Sequence, residues 1–258
     1  MSAVVRACIV TLTLAGAAAC ARDTAAPPQP ASPVRNVVII TIDTLRADRV
    51  GAYGYGAART PTMDGLARDG LRFDRAYATA PITLTSHASL MTGRYPPGHG
   101  ARHNGMRLDL KTPTLAEHFA RAGFATGAFV AAFPLDRRFG LIKGFRAYGD
   151  AMPRDANGRV TNERPGRLVV DEAIAWADRH RNDRTFLWVH LFEPHAPYGT
   201  PSDPAQARRP ASARYDDDVA EADVQVGRLL AGLQFDRAQS LIVLTADHGE
   251  AFGEHGEI

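Results

Sequence analysis

The stretch NVVIITID, residues 36–43, decides the fold class of this chain. It is a continuous apolar and β-branched run that ends on an acidic residue, and such runs are typical of parallel strands covered on both faces. TFLWVHLF (185–192) and SLIVLTAD (240–247) have the same character, and GFATGAFV (123–130) is a weaker case. The sequence therefore predicts a sheet whose main strands are buried on both faces.

Helical patterns lie between the predicted strands. They cover residues 60–70, 112–123, 169–181 and 215–233. Strands that alternate with helices favour a mostly parallel central sheet with helices on both faces. The predicted fold class is therefore α/β.

The composition is that of a globular protein. The chain has 258 residues, 45% hydrophobic and 22% charged, and is long enough to bury a sizeable core. Its 30 basic and 28 acidic residues nearly balance, for a net charge of +2. Because Lys and Arg are scattered and form no basic stripe, we expect no nucleic-acid partner.

The first twenty residues differ from the rest of the chain. Arg6, an apolar run and small residues before Cys20 have the layout of a signal peptide, and the run is too short to span a membrane. Cleavage could follow Ala19, or a lipoprotein peptidase could cut before Cys20; the tether-like segment that follows favours the lipoprotein. Either alternative predicts an exported protein, periplasmic or anchored in the outer membrane; a membrane contact is expected only for the lipoprotein, through a lipid on Cys20.

Residues 21–35 are rich in Pro and Ala and are predicted to be a linker. The folded domain is expected to cover residues 36–258. Its last residues follow a predicted buried strand directly, with no closing helix. We therefore expect the domain to be incomplete at its C-terminus.

Polar residues follow three of the predicted strands. They are Asp43, the pair Asp247 and His248, and His195. In open α/β sheets, binding sites form beyond the carboxyl ends of the strands. Buried carboxylates and imidazoles are unfavourable without partners, and a divalent cation with oxygen and nitrogen ligands removes that penalty. The sequence thus predicts a metal site at this edge of the sheet.

Hydroxyl side chains stand at the start of a predicted short helix in PITLTSHASLMTGRYPPGHG (81–100). They belong to Thr83, Thr85 and Ser86. One of them could complete the metal site, because a metal lowers the pKa of a hydroxyl and a helix N-terminus holds an anionic substrate. Each could also be only a helix cap.

Five segments, taken together in their order and spacing, resemble the sulfatase-like branch of the alkaline phosphatase superfamily. They are NVVIITIDTLRADRVGAYGY, APITLTSHASLMTGRYPPGHGARHNG, GFATGAFVAAFPLDRRFGL, LFEPHAPY and TADHGEAFGEHG. The resemblance covers nearly all of residues 36–258. It implies an alkaline-phosphatase-like fold and a sulfatase-like catalytic domain.

The resemblance also implies a nucleophile. Sulfatases carry a Cys or Ser that is oxidised to formylglycine, and the matching position here is Thr83. Nucleotide pyrophosphatase/phosphodiesterases, lipoteichoic acid synthases and phosphoethanolamine transferases of the same superfamily use an unmodified Thr. Thr83 is therefore implied as nucleophile and metal ligand, with Asp43, Asp247 and His248 as further ligands. The ligand set suits Ca²⁺, Mg²⁺, Mn²⁺ or Zn²⁺.

Histidines and an asparagine are the remaining candidate site residues. His195 is expected to protonate the leaving oxygen, with His255 as the alternative. His87, Asn104 and His255 are expected to contact the substrate, although His87 could equally pack beneath the nucleophile loop.

The predicted function is metal-dependent hydrolysis of sulfate or phosphate esters, with a small molecule, a lipid or a glycan as substrate. Two alternatives stay open. One is a transferase of the same superfamily that moves a phospho-head group, and the other is an inactive, truncated remnant.

Overall fold

The computed structural model of the protein describes residues 34–199, 204–254 and 256. The predicted signal peptide over residues 1–20, with Cys20, lies outside the described residues, as does the predicted linker up to residue 33. His255 also lies outside them. No helix among the described residues is both long enough and apolar enough to cross a membrane.

The centre of the fold is a parallel β-sheet. Within the described residues it has five strands: β1 (Asn36–Ile42), β2 (Ala125–Phe129), β3 (Ala147–Gly149), β4 (Thr185–Leu191) and β5 (Ser240–Ala246). Their order across the sheet is β3-β2-β4-β1-β5, and every pair is parallel. The predicted mostly parallel sheet is confirmed. The sequence did not predict β3, which is only three residues long.

The α-helices lie between and beside these strands. They are α1 (Pro61–Asp69), α2 (Thr83–Thr92), α3 (Pro96–His99), α4 (Leu115–Arg121), α5 (Gly166–Arg179), α6 (Pro204–Ala207) and α7 (Ala211–Leu233). The predicted helices at 60–70, 112–123, 169–181 and 215–233 correspond to α1, α4, α5 and α7.

Helices cover both faces of the sheet, as predicted. Phe186 of β4 stacks on Phe119 of α4, with ring centroids 4.4 Å apart. On the opposite face, Gly127 of β2 lies so close to Trp176 of α5 that an added Cβ would come within 2.8 Å of the indole. Gly127 is level with Leu187 of β4 and so lies on the same face of the sheet as that residue. Phe186 is the neighbour of Leu187 in the strand and therefore lies on the other face. The helices α4 and α5 are thus on opposite sides of the sheet.

The register of the strands places their carboxyl ends level with one another. Ile42, the last residue of β1, pairs with Leu191 of β4 and with Ala246 of β5. Asp43 and Asp247 are therefore the first residues beyond two adjacent strands, at the same edge of the sheet. This topology, set by the apolar runs of the sequence, is what brings the two carboxylates together.

Candidate metal centre and active site

Two buried carboxylates form the base of the site. The side chains of Asp43 and Asp247 are 0% exposed. Asp247 Oδ1 accepts hydrogen bonds from the N–H groups of Thr44 (3.1 Å) and His248 (2.8 Å), but Asp247 Oδ2 and both carboxylate oxygens of Asp43 have no hydrogen-bond partner among the described residues. Burial raises the pKa of both carboxyl groups. Two ionised groups without partners at this depth are unfavourable unless a cation neutralises them.

His248 aims a lone pair at these carboxylates. Its Nδ1–H donates to the carbonyl oxygen of Gly249 at 2.8 Å, so Nε2 of the neutral ring carries no proton. Within the part of the chain that the structure describes, Nε2 has no hydrogen-bond partner, and it lies 3.7 Å from Asp43 Oδ1 and 3.5 Å from Asp247 Oδ2. A lone pair that faces two carboxylates is repulsive, whereas a divalent cation between the three groups makes each a ligand. The residues present therefore fit a metal ion.

The helix α2 presents Thr83 to the same site. Thr83 is the first residue of α2 and is 4% exposed, and its side chain lowers the pKa of Asp43, against the larger effect of burial. The hydroxyl of Ser86, one turn along, donates to the carbonyl oxygen of Asp247 at 2.6 Å. The start of the helix is thus tied to the end of β5. The structure brings Thr83 together with the three other residues predicted as metal ligands.

The prediction that His87 binds substrate needs correction. His87 is 0% exposed, and burial lowers its pKa to about 4. Its Nδ1–H donates to the carbonyl oxygen of Thr83 at 2.7 Å, and its Nε2 accepts from the hydroxyl of Thr41 at 3.0 Å. Trp188 Nε1–H donates to the same hydroxyl and so sets its direction. With both ring nitrogens engaged beneath the helix, His87 holds the position of Thr83 and does not reach a substrate.

His190 is a site residue that the sequence analysis missed. It lies in β4, is 0% exposed, and its Nδ1 accepts the N–H of Ala131 at 3.3 Å. The proton of the neutral ring is therefore on Nε2, which lies 3.3 Å from Asp43 Oδ2. The two atoms are not joined by a hydrogen bond, so the Nε2–H of His190 faces the carboxylate without donating to it. The signal in the sequence was a single polar residue near the end of the apolar run TFLWVHLF.

A second group of potential ligands does not fit a metal. His87, His190 and Asp247 also place one ligand atom each within 4.8 Å of one another. However, the two nitrogens of His87 are engaged with Thr83 and Thr41, and the free nitrogen of His190 carries its proton. Neither imidazole offers a lone pair to a cation. The group with Asp43, Asp247 and His248 is the one whose donor atoms are free.

His195 and Asn104 lie at the entrance to the site. His195 follows β4, stacks on Phe192 with ring centroids 4.2 Å apart, and donates from Nδ1 to the carbonyl oxygen of Ala196. The Nε2 of His195 has no partner among the described residues. A positive charge on this ring lowers the pKa of Asp43. The Oδ1 of the exposed Asn104 accepts the N–H of Leu84 at 3.0 Å, which caps α2 and leaves the amide NH₂ free.

The family model described as Sulfatase matches residues 35–258, which is most of the chain. The chain belongs to the sulfatase family. Arylsulfatase A of Homo sapiens is 28% identical over 264 residues, covering 83% of this chain and 52% of that protein. Steryl-sulfatase of Mus musculus is 27% identical, covering 90% of this chain and 55% of that protein. This sulfatase-family chain spans about half the length of the curated relatives that it matches.

Solved structures confirm the alkaline-phosphatase-like fold of this sulfatase-family chain. The phosphonate monoester hydrolase of Agrobacterium radiobacter superposes with a TM-score of 0.67 at 24% identity, covering 86% of this chain and 64% of that one. The C-terminal periplasmic domain of EcEptC from Escherichia coli, in complex with Zn, gives 0.66 at 16% identity, covering 88% and 67%. At these identities the similarity establishes the fold.

Proposed function

We propose that the protein is a metal-dependent hydrolase of sulfate or phosphate esters with Thr83 as its nucleophile. The observation that carries the proposal is the placement of Thr83, at the start of a buried helix, against donor atoms of Asp43, Asp247 and His248 that have no other partner. Membership of the sulfatase family supports the class of reaction.

In the proposed reaction, Thr83 is the nucleophile and His195 is the general acid and base. A divalent cation supplies the positive charge that lowers the pKa of the Thr83 hydroxyl and neutralises the ester oxygens. Thr83 Oγ1, having lost its proton to solvent, attacks phosphorus or sulfur and becomes esterified, while the bond to the leaving oxygen breaks; hydrolysis of the ester returns Thr83 to the same deprotonated state. His195, protonated at Nε2, gives that proton to the leaving oxygen, and afterwards accepts one from the water that hydrolyses the Thr83 ester.

Other residues hold the reacting groups in place. His87 fixes the first turn of α2 from below, and the Nε2–H of His190 faces the carboxylate of Asp43. The free amide NH₂ of Asn104 can donate to an ester oxygen at the same helix end. The N-terminus of α2 adds the favourable end of the helix dipole for an anionic group.

The ligand set bears on the identity of the metal. It combines two carboxylates and a hydroxyl with one imidazole nitrogen, from His248. The imidazole nitrogen suits Zn²⁺ and the carboxylates suit Mn²⁺, a transition-metal ion, whereas Ca²⁺ and Mg²⁺ are hard cations that take oxygen ligands. The structural relative EcEptC was solved with Zn. We therefore propose Mn²⁺ or Zn²⁺ as the ion.

Thr83 also bears on the substrate. Oxidation of threonine cannot yield the aldehyde of formylglycine, so the group transferred forms an ordinary threonine ester, which water or an acceptor alcohol must break. We place phosphate and phosphonate esters of a small molecule, lipid or glycan before sulfate esters.

A transferase that passes the group to an acceptor alcohol is the second candidate, because Thr83 resembles the nucleophile of the phosphoethanolamine transferases. Its turnover would depend on the added alcohol.

A substrate panel tests the proposal. Aryl sulfate, phosphate monoester, phosphate diester and phosphonate substrates are assayed with and without chelator. We expect turnover of at least one phosphorus ester, its loss with chelator, and its recovery with Mn²⁺ or Zn²⁺ but not with Ca²⁺. Hydrolysis that continues in chelator would contradict the proposal, as would metal binding without turnover of any substrate in the panel.

Replacement of His195 by glutamine tests its role as general acid. General acid–base groups typically contribute about 10²–10⁴-fold, and most when the leaving oxygen is basic. The variant should therefore lose about 10²-fold or more with alkyl esters and much less with 4-nitrophenyl esters, whose leaving group needs no proton. An equal loss of kcat with both leaving groups would show that His195 does not supply this proton.

We also propose that the protein is exported and anchored through a lipid on Cys20. The support is the sequence pattern of residues 1–20 and the Pro- and Ala-rich residues that follow. Incorporation of radiolabelled palmitate by cells that express the chain, and its loss on Cys20→Ala, is the measurement. Equal labelling of parent and variant would contradict the anchor.

A further inference from the structure

The turn that follows Asp43 has an unfavourable backbone conformation. Thr44 has φ of +54°, in the left-handed region that β-branched residues rarely adopt. The N–H of Thr44 donates to Asp247 Oδ1 at 3.1 Å, so this conformation joins the two loops that carry the candidate metal ligands. A strained conformation persists only where its surroundings hold it.

A single side chain holds both ends of this turn. Tyr215 of α7 is fully buried, and its hydroxyl donates to the carbonyl oxygen of Thr44 at 2.8 Å. The same hydroxyl accepts the N–H of Arg46 at 2.8 Å. The two bonds use the donor and an acceptor site of the hydroxyl at once, and they fix the direction of the peptide groups on either side of Leu45.

The ring of Tyr215 is itself fixed by two other site loops. It packs edge to face against Tyr198, with centroids 5.6 Å apart, and against Phe252, with centroids 5.1 Å apart. Tyr198 follows His195 in the loop after β4, and Phe252 follows His248 in the segment after β5. Tyr215 therefore contacts the loops that follow β1, β4 and β5, which carry Asp43, His195 and the pair Asp247 and His248.

We propose that Tyr215 is a positioning residue for the metal centre, an inference that rests on the metal site proposed above. Its hydroxyl keeps Thr44 in the left-handed conformation. That conformation directs the Asp43 carboxylate and the Thr44 N–H toward Asp247 and so sets the spacing of the ligands. Without the hydroxyl, the turn relaxes toward ordinary backbone angles and the ligands lose their preorganised geometry.

The Tyr215→Phe variant tests the proposal, because it keeps the packed ring and removes only the hydroxyl. We expect Mn²⁺ and Zn²⁺ to bind about 10- to 100-fold more weakly, as is typical when a group that supports a ligand is lost. The dissociation constants are measured by competition with a chromogenic chelator. The melting temperature of the metal-free protein is measured in parallel and is expected to change no more than in the control variant.

Tyr148→Phe is the matched control. It removes another buried tyrosine hydroxyl, which donates to the carbonyl oxygen of Leu135 at 2.7 Å, in β3 at the edge of the sheet opposite β5. Its metal affinity should equal that of the parent.

The possible outcomes separate this inference from the proposed function. A parent protein that binds neither metal overturns the metal site and this inference with it. A parent that binds, with Tyr215→Phe within about twofold of it, overturns the inference alone. Equal losses of affinity in Tyr215→Phe and Tyr148→Phe would show a general structural effect and would also overturn it.

Discussion

Replacing Thr83 with valine should lower kcat at least about 10³-fold for every ester that the protein hydrolyses. Valine has nearly the same shape as threonine but lacks the hydroxyl that forms the covalent ester, and loss of a nucleophile removes the reaction path itself. Because Thr83 is 4% exposed at the start of α2, a side chain of the same shape should leave the fold intact. Steady-state kinetics with the best substrate of the panel measures the effect.

Thr85→Val is the matched control on the same helix. The Thr85 hydroxyl is buried and has no hydrogen-bond partner among the described residues, so its removal should leave kcat within a few-fold of the parent. Thr83→Ser, which keeps a hydroxyl, should retain measurable activity. If Thr83→Val stayed active, or if the two valine variants lost activity equally, Thr83 would not be the nucleophile.

Replacing Asp43 with asparagine should weaken metal binding strongly while leaving the metal-free protein as stable as the parent or more so. The variant loses one of two carboxylate ligands, and we expect affinity to fall at least about 100-fold. In the metal-free protein the same carboxylate is buried without partners, so a neutral amide relieves an unfavourable charge. Calorimetry of metal binding and thermal unfolding with and without metal measure both effects.

The stability of the metal-free protein should depend on pH through the Asp43 carboxyl group. Burial raises the pKa of Asp43 above that of the unfolded chain, so the folded state binds its proton more tightly. The stabilising contribution of that proton is complete below the unfolded pKa and is lost as pH rises through the raised folded pKa. Metal-free Asp43→Asn should therefore lose less stability than the parent as pH rises through this range.

Asp223→Asn is the control variant, which shows how loss of a buried carboxylate that is not a metal ligand affects stability and metal affinity. Asp223 is buried, but its oxygens accept the N–H groups of Thr62 and Met63 at the start of α1. This variant should lose stability and keep its metal affinity, the reverse of Asp43→Asn. In the parent, metal at about 100 times its Kd should add about 2.7 kcal/mol of stability, and that gain should vanish in Asp43→Asn. The same gain in Asp43→Asn as in the parent would contradict the ligand role of Asp43.

The sequence predicted the main strands because each is an unbroken apolar run. The ends of β1, β4 and β5 lie within one residue of the predicted ends, because each apolar run is bounded by polar residues. Every residue of β1 and β4 is buried, as predicted. The prediction of burial on both faces is wrong for β5, which is an edge strand of the described sheet and exposes Leu241 and Val243. The short strand β3, with sequence Ala-Tyr-Gly, gives no comparable signal. It forms because β2 offers it a partner, and that is a tertiary effect.

The cluster of candidate metal ligands could also be predicted from the apolar runs. Asp43 and Asp247 follow apolar strands, and parallel pairing puts such residues at one edge. His190 was hidden because it lies inside an apolar run, where its partner from another strand cannot be inferred. Tyr215 was hidden because its hydroxyl acts across 171 positions of sequence, on the carbonyl oxygen of Thr44. His87 was assigned to substrate because spacing alone does not show which way a helical side chain points.

The most direct test is a crystal structure of the protein grown with Mn²⁺, with data collected to locate the ion by its anomalous scattering. The account predicts one strong peak in the described domain, coordinated by carboxylate oxygens of Asp43 and Asp247 and by Nε2 of His248, with Thr83 Oγ1 within coordination distance, about 2.0–2.3 Å. A peak bound instead by His87 and His190, or no peak near Asp43 at saturating metal, would contradict it.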